Sequence, residues 1–266
     1  MCYYVSQKTN HKIEFNDITR ESDLLDRPVV GGFSGAPIAV MKPDVGSKTF
    51  DVVGMEWGFL PNYLQHQDAV QKFKNGYKDA SGRFIPGFTT LNATAEGLFK
   101  NQKGQKSMFA DAVHERRCLV PVAGYYEWRH IYRINSRTGQ PLKTPDKYPY
   151  FIRVKGMPVF YHAGIWNEWT DRETGETFDT VAFTTTEANG IAAQIHNSKL
   201  RMPTMLSTDL ARAWLFDTLT DEDITAIAKI QFPASEMEAW TIDSKFLSAL
   251  DPMAPCPYEA VPELVF

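Results

Sequence analysis

The sequence predicts an α+β fold, a single mixed domain with an antiparallel, barrel-like β core and short flanking helices. Many apolar runs have strand length, few have helical periodicity, and strands and helices do not alternate as they do in parallel sheets. The chain has 266 residues and is 43% hydrophobic, which is enough for one substantial core. We expect the domain to span residues 1–250 and a proline-rich C-terminal tail to follow at 251–266.

The first half of the chain is predicted to hold short elements and one long loop. In order, the pattern predicts a strand at 3–5, a helix at 14–26 and strands at 29–42 and 52–59. Residues 62–109 are polar and interrupted by glycines, which predicts an irregular loop of a kind that usually carries function. Within this loop, Asn92 precedes a helical pattern that begins at Ala93, where it is placed to cap the helix.

The second half of the chain carries the strongest strand signals. Strands are predicted at 117–128, in the segment YPYFIRV, at 157–166 and at 178–185. Thr186 is expected to cap a helix through 187–195 that places His196 near its C-terminal end. Two later helices are predicted at 209–216 and 221–230.

Cysteine spacing and the length of the apolar runs indicate which classes of protein are excluded. The three cysteines lack the spacing of a disulfide framework or a zinc site, so we expect no metal, no cofactor and a reducing, cytoplasmic environment. No window approaches the roughly 18 continuous apolar residues of a membrane span. We therefore expect a protein away from membranes, with a monomer as the default.

Charge is distributed unevenly along the chain, although the net charge is only −4. Residues 100–155 contain twelve Lys and Arg residues against four acidic ones, whereas residues 209–266 contain eleven acidic residues against three basic ones. An unevenly charged solvated surface would explain this pattern. The alternative is a local groove that follows phosphates on an otherwise acidic protein.

Met1 and Cys2 form a candidate reactive centre. A small second residue permits removal of the initiator methionine, and the chain would then begin with a 1,2-aminothiol. Because an α-amine has a pKa of about 7.7–8.0, it can attack an aldehyde near neutral pH to form an imine. The neighbouring thiol can then close a thiazolidine ring. Without support from the rest of the chain, Cys2 is more simply a chance residue at the start site.

Three further candidates, Asn92, Glu127 and His196, each lie at the end of a predicted element and each have a simpler structural interpretation. Asn92 fits a helix cap, and His196 fits a cation that interacts with a helix C-terminus. Glu127 interrupts an apolar strand, where a carboxylate is rare unless it is paired or functional.

As an ordered set, the motifs resemble the SRAP family, named for an SOS-response-associated peptidase. They are Met1-Cys2, WGFLP (57–61), Asn92-Ala93 with Glu96, RRCLVPVAGYYEW (116–128), AGIW (163–166) and IHNSKLRMP (195–203). The resemblance runs from residue 1 to about 247. It implies a single mixed domain that recognises abasic sites in single-stranded DNA, or at its junction with duplex, and links covalently to them to shield the lesion. The resemblance also implies association with the nucleoid when the protein is bound to DNA.

The resemblance also implies a role for each candidate residue. Cys2 matches the nucleophile that forms a thiazolidine with the ring-opened deoxyribose. Asn92 matches a residue that holds the sugar and the terminus. Glu127 matches the acid that orients the α-amine and moves protons, and His196 matches the histidine that assists ring opening and crosslink reversal.

Residues expected to contact DNA come from the same motifs and from the basic segment. They are Pro37, Trp57, Thr94, Arg116, Arg117, Trp128 and Arg201. The sequence departs from the family pattern where Tyr3 and Tyr4 replace a frequent Gly-Arg pair and where Thr94 replaces a frequent arginine. Because both changes remove cations, they predict a shallower salt dependence of DNA binding.

Two other functions remain open at the level of sequence. An N-terminal-nucleophile amidase or peptidase would use the Cys2 thiol against a carbonyl, with the Cys2 amine as the base. A non-covalent module that binds single strands or junctions would need only the basic segment and its aromatic neighbours.

Overall fold

Two β-sheets carry most of the chain in the computed structural model, which describes residues 2–265. The strands are β1 (Tyr4–Lys8), β2 (Lys12–Phe15), β3 (Ile18–Glu21), β4 (Asp26–Gly31), β5 (Ile38–Pro43), β6 (Phe50–Trp57), β7 (Tyr77–Lys78), β8 (Phe84–Ile85), β9 (Asn92–Thr94), β10 (Arg117–Val122), β11 (Gly124–Ile131), β12 (Asp146–Val154), β13 (Phe160–Thr170), β14 (Thr177–Glu187), β15 (Arg201–Pro203), β16 (Met205–Leu206) and β17 (Met237–Thr241). The α-helices are α1 (Gln67–Asn75), α2 (Ala110–Glu115), α3 (Gly190–Ile195), α4 (Thr208–Phe216) and α5 (Asp221–Ala228).

The larger sheet closes into a five-stranded barrel. The strands pair in the order β14, β6, β5, β10 and β13, and β13 pairs back onto β14. The pairings are antiparallel except that β14 runs parallel to β6 and to β9. The α+β class and the barrel-like core predicted from the sequence are therefore confirmed.

Strand β10 is buried along its whole length because it separates two apolar clusters. Cys118 and Val120 face a cluster that also contains Cys2, whereas Leu119 faces a second cluster that contains Trp214 of α4. This arrangement explains why its sequence is apolar without alternation. It also places the start of the chain on the first of the two clusters.

The smaller sheet, in the order β17, β12, β11, β1 and β4, anchors the start of the chain. Val5 of β1 lies opposite Tyr125 of β11 on one side and opposite Val30 of β4 on the other. Because β1 has a partner on each side, the residues just before it are held against the core. The short strand predicted after Cys2 is confirmed, although it extends further, to Lys8.

The helix predicted at 14–26 is wrong, because this segment forms the β2–β3 hairpin. Asn16 and Asp17 both have positive φ, 54° and 60°, and join the two strands in a tight turn. An Asn-Asp pair tolerates this conformation better than most residues, which favours a two-residue hairpin. Only residues 23–25 form a single 3₁₀ turn.

Two predicted helix caps are also wrong. Asn92 lies in β9 and pairs with Phe183 of β14, so it belongs to a strand rather than to a helix terminus. The side chain of Asn189 caps α3, and the Thr186 hydroxyl instead donates to the carbonyl of Lys229. The error at Asn92 matters for function because a strand fixes the direction of its side chain.

The region 62–109 is more regular than the sequence predicts. It contains α1 and the β7–β8 hairpin, and Trp169 packs with Leu64 and Val70 in a small apolar cluster beneath α1. The strand predicted at 117–128 is divided into β10 and β11 at Ala123, and the one at 29–42 into β4 and β5. Within residues 2–265 no helix is both long and apolar enough to cross a membrane.

Candidate active site

Cys2 is completely buried at the end of the smaller sheet. The Asn92 Nδ2 donates a hydrogen bond of 2.9 Å to the Cys2 carbonyl, and the Cys2 Sγ lies 3.5 Å from the Tyr4 carbonyl oxygen. Burial, and secondarily the Glu127 carboxylate, raise the pKa of the thiol well above its ordinary value. The structure thus brings together Cys2 and Asn92, which are ninety residues apart in the chain.

Glu127 is a carboxylate within the apolar part of β11 and is only 5% exposed. It lies opposite Tyr150 of β12, and its side chain reaches the same region as Cys2, whose ionisation it influences. Burial raises the pKa of Glu127 to about 7. A carboxyl group with that pKa can accept or donate a proton near neutral pH.

His196 follows the short helix α3 and is 7% exposed. Its Nδ1 lies 2.7 Å from the Arg201 carbonyl oxygen, so this nitrogen carries the proton and donates the hydrogen bond. The other ring nitrogen, Nε2, lies 3.9 Å from the Glu127 Oε2. Burial lowers the pKa of His196 to about 4, which keeps the imidazole neutral at physiological pH.

A cleft of about 360 Å³ opens beside the Glu127–His196 pair. Besides that pair it is lined by Tyr3, Trp128, His130, Lys147, Ser198 and Lys199. The sequence reasoning named Trp128 but did not single out either lysine. Lys147 belongs to the basic segment and Lys199 to the IHNSKLRMP motif, so charge and motif together could have indicated them.

The aromatic and small residues expected to contact DNA lie in different environments. Trp128 lines the cleft and packs against Tyr4 with ring centroids 5.6 Å apart. Pro37 is exposed and Thr94 is half-buried. Trp57 is buried, stacks on Phe183 at 4.3 Å and donates to the Leu91 carbonyl, so its ring has little face left for a base.

The expectation that Arg117 contacts phosphate does not fit the structure. Its guanidinium is buried and donates to the carbonyl oxygens of Trp214, Val113, His114 and Asp217. These hydrogen bonds join α2 to the C-terminal half of α4, so the side chain has a structural role in the core.

The other two arginines expected to contact phosphate are nearer the surface but are already paired with acids. Arg201 forms a two-point ion pair with Glu96, with N–O distances of 3.1 and 3.0 Å. Arg116 donates to the neighbouring Glu115 at 2.7 Å. Phosphate contact by either side chain would therefore compete with an existing ion pair.

Comparison with protein families identifies the family to which the chain belongs. The family described as SOS response associated peptidase (SRAP) matches residues 2–248. The chain belongs to the SRAP family. Among its relatives are two Bacillus subtilis proteins, the abasic site processing protein YoaM, 27% identical, and the abasic site processing protein YobE, 28% identical. Each alignment covers 71% of this chain, and 67% and 70% of the two relatives respectively.

Two solved structures have the same fold as this chain. A protein of Bacteroides thetaiotaomicron is 26% identical and superposes with a TM-score of 0.71, covering 96% of this chain and all of the other. A Bordetella bronchiseptica protein has a TM-score of 0.59 over 91% of this chain and all of its own, and at 16% identity it shows the fold alone.

Proposed function

We propose that the protein recognises abasic sites in single-stranded DNA and, once Met1 is removed, links to them covalently through Cys2. The observation that carries this proposal is that Asn92 holds the buried Cys2 close enough to Glu127 for the carboxylate to affect the thiol, while Glu127 faces His196 at the cleft. The relatives named abasic site processing proteins support the choice of lesion. The crosslink would shield the lesion from cleavage.

The proposed chemistry uses both nucleophiles of Cys2. Removal of Met1 would convert the Cys2 backbone nitrogen into a primary amine, which attacks C1′ of the ring-opened deoxyribose. Loss of one water gives an imine, and the thiol then adds to the imine carbon while its proton passes to the nitrogen. The product is a thiazolidine, and because both nucleophiles belong to one residue the ring closure has a small entropic cost.

Glu127 and His196 are suited to move the protons in these steps. With a pKa of about 7, Glu127 can take a proton from the Cys2 ammonium group and return it to the departing hydroxyl. His196 is neutral, and its Nε2 is the acceptor nitrogen of the ring because Nδ1 donates to the Arg201 carbonyl. It can therefore accept the sugar hydroxyl proton during ring opening.

The cleft offers contacts for the nucleotides around the lesion. Lys147 and Lys199 supply positive charge for backbone phosphates, and Trp128 and Tyr3 supply aromatic rings for unstacked bases. Because Tyr3 directly follows Cys2 and lines the cleft, a sugar that enters there approaches the Cys2 nitrogen. A single strand meets this geometry more easily than a duplex, whose sugars are held in the helix.

Intact-mass analysis after incubation with an abasic single-stranded oligonucleotide tests the proposal. Protein shown to lack Met1 should gain the mass of the oligonucleotide minus one water. Cys118→Ala is the matched control, because Cys118 is also a completely buried free cysteine, and it should crosslink normally. Cys2→Ala should form no stable adduct, and the absence of an adduct with processed wild-type protein would refute the proposal.

The family description names a peptidase, which keeps an N-terminal-nucleophile amidase as the second candidate. In that reaction the Cys2 thiol attacks a carbonyl and the Cys2 amine acts as the base. Hydrolysis of a peptide or amide library that is lost in Cys2→Ser, without any DNA adduct, would favour this activity. Equal DNA binding by Cys2→Ala and wild type without an adduct would instead favour a non-covalent module.

A further inference from the structure

The chain beyond the family match lies against the two elements that carry Glu127 and His196. The match ends at residue 248, but the Arg129 Nη1 donates to the Pro262 carbonyl at 2.6 Å. Arg129 lies two residues after Glu127 on β11. The tail therefore reaches the strand of the carboxylate.

A second contact joins the tail to the helix of the histidine. The Gln194 Nε2 donates to the Val265 carbonyl at 2.7 Å, and the Val265 N–H donates back to the Gln194 Oε1 at 3.0 Å. Gln194 lies on α3, two residues before His196. Pro262 and Val265 are three residues apart, so one short segment spans both elements.

Apolar contacts and an upstream anchor hold this segment in place. Val261 and Leu264 pack against the cluster that contains Cys2. The Tyr258 hydroxyl donates to the Ile242 carbonyl at 2.9 Å, and the Tyr258 ring packs on Tyr148 with centroids 5.0 Å apart. The segment is thus fixed at its start, along one apolar face and at its end.

Asn197, the residue that follows His196, forms a further contact with β11. The His130 N–H donates to the Asn197 Oδ1 at 3.0 Å, and the Asn197 Nδ2 donates to the His130 carbonyl at 2.8 Å. This pair attaches the C-terminal end of α3 to β11 at one point. Helix α3 has only six residues, too few to be stable alone, so its orientation depends on such tertiary contacts.

We propose that residues 259–265 form a strap that positions His196 against Glu127. The strap joins α3 to β11 through Gln194, which precedes His196 in the chain, whereas Asn197 joins them after His196. It makes a segment outside the family match part of the catalytic apparatus. The proposal rests on the crosslinking function proposed above, in which a misplacement of about 1 Å can cost about 10²-fold in rate.

Two variants release the strap and one serves as a matched control. Gln194→Ala removes both hydrogen bonds to Val265, and a chain ending at Tyr258 removes the strap but keeps the upstream anchor. Gln71→Ala is the control, because Gln71 is an exposed helical glutamine whose side chain accepts from Asn75 of its own helix. Crosslinking rate at saturating DNA, DNA affinity and melting temperature are measured for all four proteins.

Both strap variants should crosslink at least five-fold more slowly at saturating DNA, with DNA affinity within two-fold of wild type. The acid limb of the rate profile should also move to lower pH, because a looser site admits water to Glu127 and lowers its pKa from about 7. Gln71→Ala should match wild type in every measurement. A purely structural role of the tail would lower the melting temperature without moving the pH profile.

A folded strap variant with the wild-type crosslinking rate and pH profile would overturn the proposal. Faster crosslinking would also overturn it, because it would mean that the tail blocks access to the site. If the shortened chain does not fold, Gln194→Ala and Leu264→Ala decide the matter. Titration of His196 by NMR separates this inference from the crosslinking proposal. Release of the strap should raise its pKa from about 4 toward 6.5 even if no adduct ever forms, and an unchanged titration would count against the strap.

Discussion

The cleft region and the barrel strands β10 and β13 contain the same reactive residue types, but these residues differ in their surroundings. Cys2 and Cys118 are both fully buried, and His196 and His162 are 7% and 0% exposed. Burial lowers the pKa of His196 to about 4 and that of His162 to about 3, so both rings are neutral at physiological pH. Burial and residue type alone therefore do not distinguish a reactive site from a core.

The groups that surround each histidine distinguish the two environments. His162 is enclosed by the rings of Tyr125, Phe160 and Phe183 at 5.5–5.7 Å, and neither of its ring nitrogens has a hydrogen-bond partner among residues 2–265. His196 has one nitrogen fixed by a carbonyl and the other facing a carboxylate beside an open cleft. Within the described part of the chain, His162 has no hydrogen bond that fixes its tautomer, no carboxylate beside it and no open cleft, whereas His196 has all three.

The largest effect should come from removing the carboxylate that only the cleft possesses. Glu127→Gln keeps the shape of the side chain but cannot take the proton of the Cys2 amine, so crosslinking at pH 7 should slow by about 10²-fold or more. Single-turnover kinetics measures this loss. Glu168→Gln, at an exposed position of β13, should crosslink at the wild-type rate, and equal rates for the two variants would remove Glu127 from the mechanism.

The same substitution should change how stability depends on pH. Because the pKa of Glu127 is raised to about 7 in the folded state, the native protein holds this proton more tightly than the unfolded chain. The stabilisation is complete below the unfolded pKa of about 4.3 and is lost as pH rises through about 7. The free energy of unfolding of Glu127→Gln relative to wild type should therefore rise by about 3 kcal/mol between these limits.

Urea titrations at pH 4.5 and pH 7.5 measure this difference. Glu168→Gln again provides the comparison, because it makes the same substitution at an exposed position of β13. A constant offset between Glu127→Gln and wild type at the two pH values would mean that burial does not set the ionisation of Glu127.

The two histidines should respond in opposite ways to substitution. His196→Ala should slow sugar ring opening and crosslink reversal by about tenfold or more, because a proton carrier is lost. His162→Leu should leave crosslinking unchanged and alter stability by no more than about 1–3 kcal/mol, since it removes buried nitrogens without partners. Gel shift assays of adduct formation and reversal test both predictions. Slow crosslinking by His162→Leu would show that the two histidines do not differ in function.

Sequence reasoning succeeded where the signal was local and failed where it depended on long-range pairing. Apolar runs predicted β12, β13 and β14, and the bounds of α4 and α5 were predicted correctly to within two residues. The hairpin at 14–26 was missed because apolar spacing was weighed above the Asn16-Asp17 turn. Asn92 was assigned to a helix because its parallel partner, Phe183, is ninety-one residues away.

The residues of the candidate site show the same difference between local signals, which were predictable, and long-range contacts, which were not. Cys2, Asn92, Glu127 and His196 were selected from motifs. In the structure Asn92 contacts Cys2, Glu127 affects the ionisation of the Cys2 thiol, and His196 faces Glu127. Arg117 was misassigned because a sequence does not show that four carbonyl groups surround its guanidinium. The docking of the tail was not predictable, since Arg129 and Gln194 have no local feature that points to Pro262 and Val265.

The smallest effects should come from the lysines at the mouth of the cleft. Each phosphate contact on a single strand contributes about 0.7 to the slope of log affinity against log salt, so Lys147→Ala and Lys199→Ala should each reduce the slope by about that amount. The sequence of the oligonucleotide should not matter, because phosphate contacts carry no base information. Lys245→Ala, at an exposed site away from the lining of the cleft, is the matched control. Unchanged slopes in both cleft variants would mean that the DNA backbone follows another surface, and that the missing cations at Tyr3, Tyr4 and Thr94 are not replaced at this cleft.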